Sequence, residues 1–537
     1  MRLTIFCFLL IIHGEAYLQT NLTTSNLPIV IINTNGQGIL DEPKITADMG
    51  IIYNGPGKEN KITDVQNEYK GKIGIELRGS TSQGFPKKPY GFETRDNTGN
   101  DLNVSLLGMP KESDWTLNAT YNDKSLMRDG LAYMFAGSFM EYAPRVRYCE
   151  LVLNDNYQGV YMLIEKIKRD KNRVDIAKMG TTDISGDPLT GGYIIKLDKT
   201  TGSGGGQGWT SSFAPYPGAW QTTYFQYEYP KSVDIVDQQK TYIRGYVEEM
   251  EKSLAGTDFR DPDKGFRKYI DTTALMDYII INELTKNPDA YRLSTFFYKE
   301  RDSDGGKIKF GPAWDYNLGF GNVDYCTKGD PEGLVLYNFN QVCLNDNWVV
   351  HFWWKRFLED ATFYSSLKQR WNTLRKNQLS DNRVNFMVDS ISTMLNGAQT
   401  RNFNKWPVLG IYVWPNYYVG ASYTQEVSWL SKWLKDRLAY LDRIWSIASG
   451  GSDPEKKNEI FAHPNPVKNT LFITLPELVP DNSDIFLTNI AGRPVQISTF
   501  TRVGRNIEMD LSQVVPGFYI LFVRDGKEMI PFKIVKQ

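Results

Sequence analysis

The sequence predicts an α+β body followed by a small all-β domain, and three observations carry that reading. Hairpin-like strand pairs recur through residues 28–165, residues 235–287 and the closing SWLSKWLKDRLAYLDRIW read as helices, and beyond residue 458 only short alternating strands separated by turns remain. Strands followed by helices fit an α+β arrangement rather than alternating βαβ units. With 537 residues the chain is long enough for several domains.

Residues 1–16, MRLTIFCFLLIIHGEA, combine one arginine, an apolar run and a small-x-small ending at Gly14 and Ala16, the pattern of a secretory signal peptide. No later stretch supplies the roughly 20 apolar residues of a transmembrane helix, so an exported chain without a membrane span is expected. The 61 basic and 62 acidic residues give a net charge of -1. That balance lacks the basic footprint of a nucleic-acid binder. Beyond the signal stretch only His351 and His463 remain, with no ligand spacing around either, which speaks against a histidine zinc site or a Ser-His-Asp triad. Cys326 and Cys343 are close enough in sequence to bridge a loop in an oxidising compartment, while Cys149 sits in an apolar strand pattern. Geometry decides whether that bridge forms.

LPIVIINT reads as a first strand, NGQG as a turn, and the chain is then polar up to Tyr69. KIGIELRGS is a strand with Ile73, Ile75 and Leu77 alternating, which leads through STSQGF and returns along PKKPYGFE. Gly79, Ser80, Ser82 and Gly84 offer backbone and hydroxyl donors in that loop, and Arg78 with Lys87 or Lys88 adds positive charge. Anionic phosphates need both. The loop is neither a Walker motif nor GxGxxG, and its composition alone fits a solvated hairpin with a basic tip better than a phosphate cradle. Strand alternation groups Lys88 with Tyr90 and Phe92, and Lys87 with Phe85; the aromatic side is the packed side, which favours Lys88 along a cleft.

A helix is expected from Asp123, with Asp123 as its N-cap. VRYCELVLNDNYQGVYMLIEKI reads as a hairpin about an Asn-Asp-Asn turn, ending at Glu165. Lys196 and Asp198 fall in an apolar strand before a glycine-rich surface loop at 202–208. Residues 235–287 are helical, and the second helix there, 270–286, delivers Pro288 and Asp289. FFYKE, the turn DSDGG and KIKFGPAWD then form a hairpin, which brings its two ends, Asp289 and Asp315, together. A carboxylate on a proline-fixed loop and another before the glycines of YNLGFG can orient a hydroxyl and hold a divalent cation, the two tasks of a phosphoryl-transfer site. A glycosidase carboxylate pair is the other chemistry open to two such acids. Trp353, Trp429, Leu430, Trp433, Leu434, Leu438 and Leu441 recur at helical spacing and read as core; Trp406 and Trp414 are less periodic, and groove lining and loop packing both remain open for them.

LRGSTSQGFPKKPYGFE, APRVRYCELVLNDNYQGVYMLIEKI, NPDAYRLSTFFYKE, GPAWDYNLGFGN and the closing WLKDRLAYLD together resemble the spore-coat-protein-H-type (CotH) kinase family, secreted atypical kinases with a protein-kinase-like core. The resemblance implies a catalytic domain over residues 20–446 that transfers the γ-phosphoryl group of ATP, with Mg²⁺, to a hydroxyl acceptor such as a protein. It implies that Asp289 takes the place of the catalytic-loop aspartate and Asp315 that of the metal-binding aspartate; Asn317 and Asn322 are oxygen-bearing side chains within reach of the Asp315 loop, with Asn317 the one assigned to the metal. Lys88 or Lys87, Arg78, Gly79, Ser80 and Ser82 then steady phosphates, and Glu165 belongs to the segment that reaches the adenine. Two departures stand out. The only glutamate of the helix after Asp123 is Glu141 at its far end, which leaves Glu76 or Glu150 as the lysine's partner. Ser294 stands where ordinary kinases carry a second metal-binding asparagine, which points to one Mg²⁺. These departures favour a second reading, a surface adhesion module on a decayed kinase fold.

At SGGSDPEKK the composition turns to glycine, serine and charge, a linker over 447–458. Residues 459–537 then read as a β-sandwich. Its HPNPVKNTLFI, IAGRPV, LSQVVPGFYIL and terminal KIVK resemble the C-terminal sorting domain of the type IX secretion system of Bacteroidetes-type bacteria, which implies that machinery as a partner and the outer cell surface or the medium as destination.

Overall fold

In a computed structural model of the chain, the residues described are 22–200, 206–327, 329–343, 345–446 and, within 461–537, all but 464–465, 476–484, 490–492, 498–499, 504–505 and 526–527. The expected signal peptide, most of the glycine-rich loop and the 447–458 linker lie outside them. The chain divides into two units, 1–447 and 448–537.

The first unit opens with a short strand β1 (Thr24–Ser25), which pairs with β4 (Asn60–Lys61). β2 (Ile29–Asn33), β3 (Ile45–Ile52), β5 (Tyr69–Leu77), β6 (Tyr90–Arg95), β7 (Asp114–Asn118), β8 (Val146–Leu153) and β9 (Asn156–Glu165) close a barrel in the order β2-β3-β5-β6-β7-β9-β8. Every pair in it is antiparallel except β2 with β8. β3 lies within the stretch that reads as a polar connection; its ITADMGII buries Ala47, Met49, Ile51 and Ile52. The β8–β9 turn holds Asn154 and Asp155 at φ 49° and 61°, the left-handed pair that a two-residue hairpin needs and that these two residue types tolerate. Ile73, Ile75, Phe92, Trp115, Leu117 and Leu163 belong to one buried cluster that fills the barrel.

Between β7 and β8 lies α1 (Arg128–Gly137). It starts later than its sequence pattern, yet Asp123 still serves its first turn: the carboxylate accepts from the Arg128 N–H at 2.8 Å. A second sheet, ordered β11-β12-β10-β13-β14, is built from β10 (Tyr193–Leu197), β11 (Gly208–Thr210), β12 (Tyr224–Tyr229), β13 (Thr295–Lys299) and β14 (Ile308–Phe310). β13 and β14 are the expected hairpin, Phe297 facing Phe310 across the pair.

Helices α2 (Asp237–Ala255), α3 (Thr272–Thr285), α4 (Val335–Val342), α5 (Trp353–Leu358), α6 (Ala361–Lys376), α7 (Asp381–Lys405) and α8 (Tyr423–Trp445) complete the unit. α3 is capped by Asp271, whose side chain accepts from the N–H groups of Thr273 and Ala274, and it ends at Lys286 in the left-handed conformation. Its Leu275, Tyr278, Ile279, Ile280, Ile281 and Leu284 are all buried together with the polar Asp277, Asn282, Glu283 and Thr285, so the helix is enclosed as a central core helix and its buried polar groups need partners. Trp353, Leu430, Trp433, Leu434, Leu438 and Leu441 are buried as the helical spacing predicts.

In the second unit the described residues form two antiparallel sheets. One runs β15 (Phe461–His463), β16 (Thr470–Thr474), β19 (Asn506–Asp510), β18 (Phe500–Val503); the other runs β17 (Ile485–Asn489), β20 (Gly517–Asp525), β21 (Glu528–Lys536). Leu471, Ile473 and Met509 from the first share one core with Leu487, Leu521 and Ile534 from the second.

Candidate active site

A cleft of about 500 Å³ is walled by the β5–β6 loop, β7, the end of β10, residues 289–294 and 314–318, and the segments that carry Tyr325, Asp346, Trp348 and Trp414. Of the residues singled out in the sequence, Arg78, Gly79, Ser80, Ser82, Asp289, Asp315 and Asn317 all line it. The β13–β14 hairpin thus brings the two aspartates to one space.

One side chain fixes both acids. Asn287, buried at the end of α3, accepts from the Asp289 N–H at 3.2 Å through Oδ1 and donates to the Asp315 carbonyl at 2.9 Å through Nδ2. Tyr133 of α1 accepts from the Asp315 N–H at 3.0 Å, and Ser294 donates its hydroxyl to the Asp315 carboxylate at 3.3 Å. Asp289 accepts from Arg292 at 2.8 Å. The backbone here is unusual: Lys286, Tyr291, Ser294, Asp315 and Phe320 all have positive φ, between 46° and 73°. Non-glycine residues hold that conformation only where their surroundings impose it, and such residues gather at functional sites.

The electrostatics follow from crowding. Burial, then the charges of Asp289 and Asp198, push the Asp315 carboxyl up to about 6, against the opposing pull of Arg78 and the Ser294 hydroxyl. Behind it Asp129 is buried, accepts from the Tyr316 N–H and from Asn118, each at 2.6 Å, and is pushed up to about 8 by burial and then by Asp315. Asp198, also in the cleft wall, is raised chiefly by burial. A divalent cation would relieve this repulsion, and aspartate, asparagine and serine oxygens are the donors a hard cation takes. Among the described residues no three His, Cys, Asp or Glu side chains form a preformed cage. The donors therefore fit a cation that completes its shell with water and phosphate oxygens, as Mg²⁺ does.

Besides Arg292, already bonded to Asp289, the cleft is lined by the cations Arg78, Lys196 and Lys199. Arg78 stacks its guanidinium 4.8 Å from the Trp314 ring. Lys196 pairs with Glu228 of β12 at 3.1 Å. An adjoining space of about 310 Å³ shares Arg78, Thr116, Lys196, Asp198 and Trp314 with the cleft. Gly79 sits at φ 93°, and a Cβ there would lie 2.0 Å from the Ser82 hydroxyl, so the tight start of the loop requires glycine.

Neither expected lysine reaches the cleft. Lys87 is buried and donates to the Val160 carbonyl at 2.5 Å and to Asn402 of α7 at 2.9 Å; burial pulls its ammonium down to about 7. Lys88 donates to the Gln83 carbonyl at 2.6 Å within its own loop. The physical reason is the barrel. The aromatic side of β6 faces the barrel interior, so alternation carries Lys88 to the barrel's end, while α7 covers the outer side where Lys87 lies. Glu165 is also displaced from the expected role: it is buried against Arg145 at 2.9 Å, with Tyr142 donating to it. Of the partners considered for the lysine, Glu76 pairs with Lys44 and Glu150 with Arg401. Glu141 pairs with Lys309 beyond the end of α1. Sequence reasoning overlooked Asn287 as a clamp and left Lys196 unassigned; a charged residue inside an otherwise apolar strand was the signal for the latter. Trp414 does line the cleft, whereas Trp406 donates to the Gln158 carbonyl. Cys326 and Cys343 form the disulfide and Cys149 is free and buried.

This mixed helix-and-sheet body with a barrel and an acid-lined cleft matches the CotH kinase protein family over residues 75–441, and the chain belongs to that family. Residues 462–537 match the secretion system C-terminal sorting domain, which marks the chain for type IX export to the cell surface or the outside. No curated protein matches the chain. No helix among the described residues is long and apolar enough to cross a membrane.

Proposed function

We propose that the chain is an exported kinase that transfers the γ-phosphoryl group of ATP to an acceptor hydroxyl, a protein side chain being the acceptor the family implies. The observation that supports this most is the pair of aspartates clamped by Asn287 and faced by Arg78 and Lys196. Asp289, steadied by Arg292, accepts the proton of the acceptor hydroxyl. Asp315, with Asn317 and Asp198 beside it, holds Mg²⁺, which when bound neutralises the charge that develops on the transferring phosphoryl group. Arg78, Lys196 and the donors of Gly79 to Ser82 steady phosphate oxygens, in the place the sequence gives to Lys88. Ser294 binds Asp315 rather than a second ion, in keeping with a single Mg²⁺. Catalysis of this kind is positioning plus fixed charge. The kinase-like fold of residues 20–446, the sandwich form of 459–537 and the cleavable signal over 1–16 belong to the same proposal.

The guanidinium and ammonium beside the acids favour an anionic phosphate over a neutral sugar, and so favour this reading over a glycosidase carboxylate pair. The test is incubation of the full chain with labelled ATP and Mg²⁺, beside Asp289→Ala and Asp315→Ala. Label on the protein or an added acceptor, lost in both variants, is the expected result. Absence of Mg²⁺-dependent ATP binding in the unaltered chain overturns the reading and leaves a surface binding module.

A further inference from the structure

The disulfide sits at the rim of the cleft, and its surroundings connect it to the acid proposed to activate the acceptor. Tyr325 precedes Cys326, Asp346 and Trp348 follow Cys343, and all three line the cleft. Arg292, buried between them, donates to four oxygens: the Pro288 carbonyl at 2.8 Å, the Asp289 carboxylate at 2.8 Å, the Asp346 carboxylate at 3.2 Å and the Trp348 carbonyl at 3.1 Å. Its guanidinium also lies 4.2 Å from the Phe339 ring. The orientation of Asp289 therefore depends on where residues 346–348 stand.

The two ends of the disulfide are held differently. After Cys326 the chain is gripped from the core: Lys286 donates to the Thr327 and Asp330 carbonyls, Trp433 to the Gly329 carbonyl, and Arg437 to those of Pro331 and Gly333. After Cys343, residues 346–348 are held from outside their own segment by Gln221, which donates to the Asp346 carbonyl, by Lys199, whose ammonium lies 5.4 Å from the Trp348 ring, and by Arg292 itself, while Val350 exchanges two hydrogen bonds with Asn340 of α4. The sulfur bridge ties this second segment to the anchored one.

We propose that the Cys326–Cys343 bond is a redox gate on the reaction: oxidised, it seats Asp346, which fixes Arg292 and through it Asp289; reduced, it leaves Asp289 without its brace. This rests on the phosphoryl-transfer reading. The bond forms by thiol–disulfide exchange with a disulfide-bearing oxidant of the export compartment. Two thiols of this chain become one disulfide, and the oxidant's disulfide takes both electrons and both protons as two thiols. The chain is thereby inactive in the reducing cytoplasm and active once exported. Arg292 and Asp346 are positioning residues, whereas nucleotide contacts lie on Arg78, Lys196 and Asp315, away from the bridge.

The full chain is compared oxidised and after mild reduction, with Mg²⁺-ATP affinity and transfer rate measured separately. Reduction is expected to lower transfer at least tenfold with nucleotide affinity within twofold, and reoxidation to restore it. The paired change Cys326→Ser, Cys343→Ser is expected to stay low under both conditions. Asp346→Ala with the bridge intact is expected to match the reduced protein, and its own reduction to add less than twofold, a non-additivity that general destabilisation does not produce. Transfer within twofold in both redox states overturns the gate. In a chain that binds no nucleotide the kinase reading fails instead, and hydrogen exchange at residues 287–294 and 345–350 decides the gate: faster exchange on reduction supports it, unchanged exchange overturns it.

Discussion

The two walls of the cleft are built on opposite plans. The wall from Lys286 to Phe320 carries five non-glycine residues at positive φ; Ser294 and Arg292 pin its carboxylates, and Asn287 and Tyr133 pin the backbone of the same two aspartates. The facing β5–β6 loop offers one cation, Arg78, and a short 3-10 turn at Thr81–Gly84 with no buried residue. A wall that must hold charge in one place is over-determined by hydrogen bonds, while a wall that meets a variable or departing ligand is held lightly. On the proposed reading, the first wall carries the chemistry and the second the accommodation.

That contrast can be broken experimentally. The largest effects belong to the rigid wall: Asp289→Ala and Asp315→Ala should each cost about 10³-fold in transfer rate, read in single-turnover assays. Comparable losses from loop residues alone would reverse the assignment of roles. Next in size is the scaffold behind the acids. Glu283 and Arg437 are fully buried partners at 3.2 Å, and Glu283 also accepts from the N–H groups of Val335 and Leu336. Glu283→Ala should therefore destabilise the unit by about 3–5 kcal/mol, measured by urea unfolding, because a charge is left buried without its partner.

Lys196 and Lys88 sharpen the comparison further. Lys196→Ala should lower transfer about 10²-fold through weakened phosphate binding, and Lys88→Ala should leave it nearly unchanged. The opposite pattern would return the phosphate contact to the loop. A pH series gives a smaller signal. Asp315, raised to about 6, is neutral below that pH, so cation-dependent transfer should fall as pH drops through 6, tenfold per unit at most. Stability runs the other way. A carboxyl whose folded value is raised stabilises below its ordinary value of 3.8, and that contribution is lost as pH rises through about 6 for Asp315 and about 8 for Asp129. Asp129→Asn should flatten the decline of urea midpoint between about pH 4 and pH 8. Smallest of all, Gly79→Ala should raise the KM for ATP severalfold with kcat retained, since it distorts a loop that binds without reacting.

What could be read in advance follows the same division. The β13–β14 hairpin was legible because DSDGG and its alternating flanks are local signals, and locality was enough to bring Asp289 and Asp315 together. Asn287 was hidden, because an amide before a proline looks like any helix ending until two loops close on it. Lys196 needed the β10–β12 pairing, which supplies Glu228, before its place had meaning. The lysine pair misled for a geometric reason: a closed barrel under a helix has two packed surfaces, and alternation cannot say which one borders the cleft. Glu165 belonged to the same class of error, its strand-end position concealing burial against Arg145 and Arg173.

The contact between Glu283 and Arg437 also joins distant parts of the first unit. Arg437 lies on α8, so the acids near residues 289 and 315 are propped by a helix that comes more than a hundred positions later in the chain. A chain cut short before that helix would keep every reactive group in its sequence and still lose the prop beneath them. The cleft thus depends on the last helix of its unit as much as on the loops that line it.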